Sequence, residues 1–202
     1  IVSGSHDCSI RIWDPVAEEC IAVLQGHSPV LALAILPNGY IVCGNWDNSL
    51  SIWDPYHPEV TGECIAVLRG HTGSVLALAI LPNGHIVSGS IDHSLRIWDP
   101  VTGECIAVLR GHTNPVRTLA ILSNGLIVSG SDDRSLRIWE PDTWECIDVL
   151  KGRTNRVRAL AILPNDDIVS GGTGSSIRIW DGSRYDEDYD DDDDDGCKAA
   201  IN

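Results

Sequence analysis

Several features that would place this chain in other protein classes are missing from its sequence. It has no methionine and no phenylalanine. No stretch of 18 apolar residues occurs, which excludes a transmembrane helix, and no charged-then-apolar segment opens the chain as a secretory signal would. Its seven cysteines form no Cys-x-x-Cys pair and no His/Cys cluster with zinc spacing. Asn-x-Ser/Thr glycosylation acceptors are also absent.

Five tryptophans recur at a nearly constant spacing. Trp13, Trp53, Trp98, Trp139 and Trp180 are separated by 40, 45, 41 and 41 residues. Each closes a similar phrase, which reads Ile-Val-Ser-Gly-Ser-Ile-Asp-His-Ser-Leu-Arg-Ile-Trp up to Trp98. A period near forty indicates one small unit that has been copied and stacked. A residue found in every copy is therefore expected to hold the copies together rather than to catalyse a reaction.

One copy is read most clearly from Gly70 to Pro100. It contains short runs rich in Ile, Val and Leu, separated by turns such as Pro82-Asn83-Gly84. Such runs predict antiparallel β-strands, and no run has helical periodicity. Runs such as Leu76 to Leu81 are apolar throughout, so both faces of these strands are expected to be buried. A single four-stranded sheet cannot bury both its faces, so neighbouring copies must pack face to face.

The order of these motifs resembles that of the WD-repeat β-propeller family. Gly-His precedes the Trp by 26 residues for His27 and by 27 for His71 and His112. The resemblance implies an all-β propeller of four-stranded antiparallel blades over residues 1–181. We expect three full blades and two partial ones, the first without its innermost strand and the last without its outermost. Such a chain is a piece of a larger propeller, usually seven-bladed, or is completed by another subunit.

The resemblance also assigns a structural role to repeated polar residues. In such propellers a buried, hydrogen-bonded set of His, Ser or Thr, Asp and Trp ties each blade together. The implied sets are His27, Asp47 and Trp53; His71, Ser88, Asp92 and Trp98; and His112, Ser129, Asp133 and Trp139. Cys43 stands where the second copy needs serine, and the last copy has Arg153 and Gly174 in place of His and Asp. A Ser-His-Asp hydrolase would use the same residue types, but several triads in one chain make no functional sense.

The cysteines recur with the repeat. Cys20, Cys64, Cys105 and Cys146 occupy equivalent positions. Packed sheets lie about 10 Å apart, whereas a disulfide needs Cα atoms within about 7 Å, so these residues are expected to be free, buried fillers. Free thiols favour a reducing compartment and predict an intracellular, cytoplasmic protein.

An acidic run dominates the end of the sequence. The net charge is −15, and nine acidic residues lie between Asp186 and Asp195, so the remainder carries −15 + 9 = −6. We expect residues 182–202 to form an acidic C-terminal tail, solvated or held against a basic surface. The run contains Asp191, Asp193 and Asp195 followed by Gly196, which matches the opening of a calcium loop, so calcium is a possible ligand.

Positions that differ between copies indicate where a partner would bind. The residue before the repeated Asp and the residue after the first Val of each copy both vary, and the resemblance places them on one face. Aromatic and Arg side chains are enriched in interface hot spots. The candidate partner-binding residues are Leu31, Trp46, Leu76, Ile91, Arg117, Arg153, Arg156 and Arg158.

The function predicted from these observations is a non-enzymatic scaffold for protein–protein interaction. Its expected partners are other proteins of a multi-subunit complex, with no nucleic acid and no membrane insertion. One alternative is a recognition module for acidic or phosphorylated peptides, similar to ubiquitin-ligase substrate adaptors, which the arginines would support. Another is an enzyme domain on a propeller, which would need a catalytic set outside the repeat pattern.

Overall fold

The computed structural model describes residues 1–55, 63–151, 155–182 and 185, together with the backbone of residues 197–201. The regular elements that it describes are β-strands, apart from a single helical turn residue at Tyr185. The strands are β1 (Val2–Gly4), β2 (Ser9–Asp14), β3 (Glu19–Gln25), β4 (Val30–Ile35), β5 (Ile41–Asn45), β6 (Leu50–Asp54), β7 (Glu63–Leu68), β8 (Val75–Ile80), β9 (Ile86–Ser90), β10 (Leu95–Trp98), β11 (Cys105–Leu109), β12 (Val116–Ile121), β13 (Ile127–Ser131), β14 (Leu136–Trp139), β15 (Cys146–Leu150), β16 (Val157–Ile162), β17 (Ile168–Gly172), β18 (Ile177–Trp180) and β19 (Cys197–Ile201).

Consecutive strands pair antiparallel within five sheets, which we call blades. Blade 1 is β1–β3, blade 2 is β4–β7, blade 3 is β8–β11, blade 4 is β12–β15 and blade 5 is β16–β19. The first strand of each blade from 2 to 4 packs against the first strand of the next, so the blades follow one another face to face. The all-β prediction of stacked antiparallel four-stranded blades is confirmed, as is the three-stranded blade 1.

Blade 5 differs from the expectation, because it has four strands instead of three. Its outer strand β19 pairs with β18 so that Cys197 lies opposite Trp180. The same partnership joins Cys146 to Trp139 in blade 4. The segment expected to be a tail thus supplies a strand, and the described residues form four full blades and one partial blade. The acidic run delays this strand in the sequence, which is why the periodicity alone missed it.

The repeated glycine of each second strand allows neighbouring blades to approach closely. A Cβ atom on Gly89 would lie 2.7 Å from Val116 Cγ1 of the next blade, and a Cβ on Gly44 would lie 2.8 Å from Val75 Cγ1. Both distances are shorter than real Cβ contacts, so only glycine permits this packing. Each of the four hydrophobic clusters accordingly lies between two successive blades.

Burial is greatest in the second strands. All residues of β5, β9 and β13 are buried, whereas the first strand β8 buries only Val75 and Ala77. Both faces of β8 pack against neighbouring blades, Leu78 and Ile80 on one side and Ala79 on the other, but these residues are only partly buried. Four of the repeated tryptophans are at most 4% exposed. Trp13 is half-buried, because no described sheet packs against its side of blade 1.

Candidate functional site

Blade 3 contains a complete hydrogen-bonded set of the four repeated polar residues. His71 Nδ1 lies 2.7 Å from Asp92 Oδ2, and His71 Nε2 lies 2.8 Å from Ser88 Oγ. The indole Nε1 of Trp98 donates to the same Ser88 Oγ at 2.8 Å. The set therefore connects the loop that enters the blade, its second strand and its third strand through side chains alone.

The carboxylate of Asp92 is fixed by several donors. Ser94 donates to Oδ1 from its backbone N at 3.0 Å and from its Oγ at 2.6 Å, and the backbone N of Thr72 donates to Oδ2 at 2.9 Å. Burial alone would raise the pKa of Asp92, but these hydrogen bonds and the one with His71 hold it well below its ordinary value. The group is therefore a stably charged acceptor at neutral pH.

Blade 4 repeats this set almost atom for atom. His112 Nδ1 lies 2.7 Å from Asp133 Oδ2, and His112 Nε2 lies 2.7 Å from Ser129 Oγ. Trp139 Nε1 donates to Ser129 Oγ at 2.8 Å. Ser129 is 0% exposed, as is Ser88 in blade 3, so a substrate cannot reach either hydroxyl. The geometry of these two sets suits a structural tie and not a hydrolytic centre.

A half-buried arginine accompanies each complete set. Arg96 lies over the ring of Trp98 with Cζ 6.0 Å from the centroid, and its Nη1 donates to Cys105 Sγ at 3.5 Å. Arg137 has the same contacts with Trp139 at 6.0 Å and with Cys146 Sγ at 3.4 Å. Cys105 and Cys146 thus accept a hydrogen bond from arginine, and they and Cys64 are half-buried, so the expectation of buried fillers is wrong. Cys20, in blade 1, is exposed.

Blade 2 departs from the expected arrangement. Trp53 Nε1 donates to Ser51 Oγ at 2.9 Å, on its own strand, and not to the residue at the serine position of β5. That position is Cys43, which is 0% exposed and whose burial raises its thiol pKa to about 12. His27 is exposed and has no hydrogen bond to Asp47 among the described residues. A thiol is a weaker acceptor than a hydroxyl, so nothing draws the imidazole of His27 inward.

The polar groups of blade 2 are satisfied locally instead. Asn45 Nδ2 donates to Ser49 Oγ and to Ser51 Oγ, each at 3.1 Å. Asp47 Oδ1 accepts from the backbone N of Ser49 at 3.2 Å and from its Oγ at 2.6 Å. Of the set implied for this blade, Asp47 and Trp53 are held in place, but they are not linked through His27.

Among the described residues, blades 1 and 5 keep the tryptophan–serine bond but have no histidine joined to it. Trp13 Nε1 donates to Ser3 Oγ, and Trp180 Nε1 donates to Ser170 Oγ, each at 2.8 Å. In blade 5 a Cβ on Gly174 would lie 2.1 Å from Asn155 Nδ2, so an amide fills the space near the missing carboxylate. Arg153 lies outside the described residues.

The variable residues of the first strands lie in β-bulges. The pairing of the first and second strands shifts register after Val30, Val75, Val116 and Val157. The unpaired extra residues are Leu31, Leu76, Arg117 and Arg158. A bulge turns a side chain out of the regular alternation of a strand. These positions can therefore vary without disturbing the core. This device was not foreseen from the sequence.

The second variable set lies in the turns between second and third strands. The backbone N of Trp46 donates to Pro29 O, that of Ile91 to Ser74 O and that of Asp132 to Pro115 O, each at 3.0 Å. These turns and the loops that enter the first strands form one face of the array, which we call the upper face. Its residues before the repeated Asp are His6, Trp46, Ile91, Asp132 and Thr173.

The upper face of blades 2 and 3 carries two exposed hydrophobic residues. Trp46 is 57% exposed and Ile91 is 38% exposed. The rings of His6 and Trp46 are in edge contact, with centroids 6.0 Å apart. Leu31 and Leu76 are half-buried. The structure therefore gives Trp46 an aromatic neighbour from blade 1 that the sequence pattern had not paired with it.

In blades 4 and 5 the upper face is charged. Asp132 is buried, and its Oδ2 accepts from Arg117 Nε at 2.9 Å and from Arg117 Nη2 at 2.8 Å. Arg158 Nε of blade 5 lies 3.7 Å from Asp132 Oδ1. Arg156 is exposed. The central residue of this cluster, Asp132, was not among the predicted site residues, although it is the only acid in the variable set.

Metal-binding groups and membrane-spanning helices are both absent from the described residues. No group of three His, Cys, Asp or Glu residues there could hold a metal ion. The calcium prediction falls on Asp191, Asp193 and Asp195, which lie outside the described residues. Among described residues, no helix has the length and apolar character needed to span a bilayer.

Parts of this chain are similar in sequence to segments of several known proteins. The F-box/WD repeat-containing protein sel-10 of Caenorhabditis elegans is 36% identical over 78 residues, which cover 37% of this chain and 13% of that protein. The nuclear distribution protein PAC1 of Arthroderma otae is 37% identical over 86 residues, 37% of this chain and 18% of PAC1. The guanine nucleotide-binding protein subunit beta-5b of Danio rerio is 36% identical over 55 residues, 26% of this chain and 14% of that subunit. The chain thus matches less than a fifth of the length of each relative.

A family profile covers almost all of the repeat region. The WD domain, G-beta repeat family matches residues 1–14, 18–54, 62–99, 103–140 and 144–181. Each matched segment ends at or just after one of the repeated tryptophans. Since these matches extend over far more than half of the sequence, the chain belongs to the WD-repeat family.

Proposed function

We propose that this chain is a non-enzymatic scaffold that binds another protein through its upper face. The observation that carries the proposal is Trp46, a large aromatic side chain that is 57% exposed beside the ring of His6. Tryptophan is enriched in the hot spots of protein interfaces, where it fills a pocket of the partner. Trp46 is the natural centre of such an interface here.

The backbone around Trp46 is already held in place. Its N donates to Pro29 O at 3.0 Å, and its O accepts from Ser74 Oγ of the next blade at 2.8 Å. A side chain on a preorganised turn loses little conformational entropy on binding. Ile91 extends the apolar surface on the adjacent blade, so a partner can bury both residues together.

The family supports this proposal without identifying the partner. The relative from Danio rerio is by its name a subunit of a guanine nucleotide-binding protein, and that from Caenorhabditis elegans carries an F-box beside its repeats. We infer a multi-subunit assembly for this chain, in a reducing intracellular compartment that suits its free cysteines.

Site-specific photocrosslinking tests the proposed interface. p-Benzoylphenylalanine placed at Trp46 is expected to give discrete adducts with a partner in cells that express the chain. The matched control is the same residue at Val101, which is 92% exposed in the turn after β10, on the opposite face. Ile91→Asp should reduce the yield from position 46 while leaving the circular dichroism spectrum unchanged. Adducts of equal yield from both positions, or insensitive to Ile91→Asp, would overturn the proposal.

The charged part of the upper face favours a second candidate function, recognition of an acidic or phosphorylated peptide. Asp132 orients Arg117 through two hydrogen bonds, at 2.9 and 2.8 Å. The Arg158 side chain is 50% exposed beside the same carboxylate. Two arginines beside one carboxylate give this cluster a net positive charge. The planar guanidinium of Arg can form bidentate hydrogen bonds with phosphate.

Blocked phosphothreonine, compared with blocked threonine, is the simplest probe of this candidate. The Nε–H resonances of Arg117 and Arg158 should shift only with the phosphorylated probe. Arg158→Gln should weaken that response, whereas Arg110→Gln, an exposed charge change at the end of β11, should not. A response of equal size to unphosphorylated threonine would exclude specific recognition of the phosphate.

A further inference from the structure

Comparison of the blades shows which side chain fills the space beside each repeated tryptophan. In blade 3 the guanidinium of Arg96 fills the space between Trp98, Cys105 and Gly70; a Cβ on Gly70 would lie 2.9 Å from Arg96 Nη1. Arg137 fills the same space in blade 4, where a Cβ on Gly111 would lie 2.7 Å from its Nη1. An arginine is thus the group that fits this position.

In blade 2 the residues around this space are present, but the arginine is replaced by Ser51. Ser51 pairs with Cys43, and in blade 3 the corresponding pair is Arg96 with Ser88. The short Ser51 side chain cannot reach across the tryptophan, and a Cβ on Gly26 would meet Trp53 only at 3.6 Å. A cleft results, and the residues that line it include Gly26, His27, Asp47, Ser51, Trp53 and Cys64.

The rim of the cleft can complement a cation. Asp47 is exposed at the cleft, and its Oδ1 accepts from Ser49, whereas no described residue donates to its Oδ2. In blade 3 the equivalent atom, Asp92 Oδ2, is occupied by His71 and Thr72. The outward position of His27 therefore leaves a carboxylate oxygen available to a ligand.

A cation already on the rim does not prevent this binding. Arg69 lines the same cleft from the end of β7. Blade 3 has Arg110 and blade 4 has Lys151 at the equivalent strand ends. Each of those blades nevertheless holds its own arginine against the tryptophan, so the fold tolerates both charges together.

We propose that the blade 2 cleft binds an arginine side chain of a partner protein, beside Trp53, in the place that Arg96 and Arg137 occupy beside the tryptophans of blades 3 and 4. A planar guanidinium can lie against an indole and donate hydrogen bonds in its own plane, which a lysine ammonium cannot do with the same geometry, and the negative charge of Asp47 at the rim favours a cation in the cleft. The cleft adjoins Trp46, since Asp47 follows it directly, so a protein that covers Trp46 can insert an arginine there. The inference rests on the cleft itself and does not require the arginine cluster around Asp132.

Nuclear magnetic resonance of the full chain tests the proposal with small probes. N-acetyl-arginine amide should cause a saturable shift of the Trp53 indole N–H resonance and little shift of the Trp98 indole. N-acetyl-citrulline amide, which has the same shape without the charge, and N-acetyl-lysine amide should cause much smaller shifts. No saturable response of Trp53 to the arginine probe, or an equal response to the citrulline probe, would overturn the proposal.

A matched variant closes the cleft from inside. Cys43→Ser combined with Ser51→Arg rebuilds the serine–arginine pair of blades 3 and 4, so this double variant is expected to fold and to retain the serine acceptor for Trp53. It should lose the response to the arginine probe. Asp47→Asn supplies a second variant, in which the response should weaken because the carboxylate charge is gone. Undiminished binding in the double variant would contradict the inference.

Discussion

Blades 2 and 3 have the same strands and the same buried tryptophan, yet they are held together differently. In blade 3 the indole of Trp98 reaches Ser88 on the neighbouring strand, and the chain of contacts continues through His71 to Asp92. In blade 2 the indole of Trp53 bonds to Ser51 on its own strand, and Asn45 links the second strand to Ser51 in place of the His–Ser–Asp set. The tryptophan is at most 4% exposed in both blades.

The comparison separates two contributions to blade structure. A blade can form without the His–Ser–Asp network, because blade 2 replaces it with the smaller set of Asn45, Ser49 and Ser51. The network adds fixed links between strands and the entering loop, and a fully satisfied network is worth more than a partial one. The consequence for function is that blade 2 exposes His27 and opens a cleft, while blade 3 is closed at the same place.

The largest expected effect is that of breaking the complete network. Asp92→Ala removes the acceptor of His71, Ser94 and Thr72, so buried donors lose their partner, and we expect a loss of about 1–3 kcal/mol in the free energy of unfolding. The matched change in blade 2, Asp47→Ala, should cost clearly less, since Asp47 is exposed and, among the described residues, its carboxylate accepts from Ser49 alone. Urea unfolding measures both. Equal losses would show that the network contributes nothing beyond the local turn.

Acid should weaken blades 3 and 4 through the same networks. The pKa values of Asp92 and Asp133 are lowered from 3.8, because hydrogen bonds to the charged form outweigh burial. A lowered folded-state pKa gives stability that is complete above the unfolded value and is lost as the pH falls below about 4. The gap in unfolding free energy between the wild type and the variant Asp92→Asn/Asp133→Asn should therefore shrink between pH 5 and pH 2. A gap that stays constant over this range would contradict the assignment.

The arginines of the upper face allow a smaller test, between blades 4 and 5. Arg117→Ala leaves the buried carboxylate of Asp132 without its two short hydrogen bonds, so we expect a loss of about 1–2 kcal/mol in unfolding free energy. Arg158→Ala removes a contact at 3.7 Å from a half-exposed side chain, and it should cost about 0.5 kcal/mol or less. Thermal or urea unfolding of the two variants distinguishes them. The reverse order would mean that Arg158, not Arg117, neutralises Asp132.

The smallest effect concerns thiol chemistry and leaves stability unchanged. Burial raises the pKa of Cys43 to about 12, so very little reactive thiolate is present near pH 8. Cys20 is exposed. Iodoacetamide should therefore modify Cys20 much faster than Cys43 in the folded chain, and mass spectrometry of tryptic peptides can follow both. Rapid modification of Cys43 would show that blade 2 opens far more often than its packing indicates.

Much of the fold could be predicted because the same sequence pattern occurs in several copies. Three copies of Gly-His and five of the tryptophan phrase identify the blades, and the complete sets around Trp98 and Trp139 have the expected members. Strand β19 was missed because the acidic run separates it from β18. The signal was present all the same, since Cys197-Lys198-Ala199 has the cysteine and alanine spacing of Cys105-Ile106-Ala107.

The candidate site was harder to predict, because it depends on exchanges between neighbouring residues. Gly26-His27 has the same letters as Gly70-His71, but the replacement of serine by Cys43 and of arginine by Ser51 changes where His27 lies. The role of Asp132 follows from its distance to Arg117, which no spacing in the sequence reveals. The β-bulges that present Leu31 and Arg117 also depend on strand register, which the apolar runs leave undetermined.

Native-state hydrogen exchange tests the central claim most directly, that the polar network and not the repeat itself makes blades 3 and 4 more rigid than blade 2. The amide of Ile97 in β10 and that of Ile52 in β6 are equivalent and have equally buried side chains. If the network adds about 1.4 kcal/mol to local opening, the amide of Ile97 should exchange about tenfold more slowly than that of Ile52. Asp92→Ala should abolish the difference. Equal exchange rates at the two positions in the wild-type chain would contradict the account.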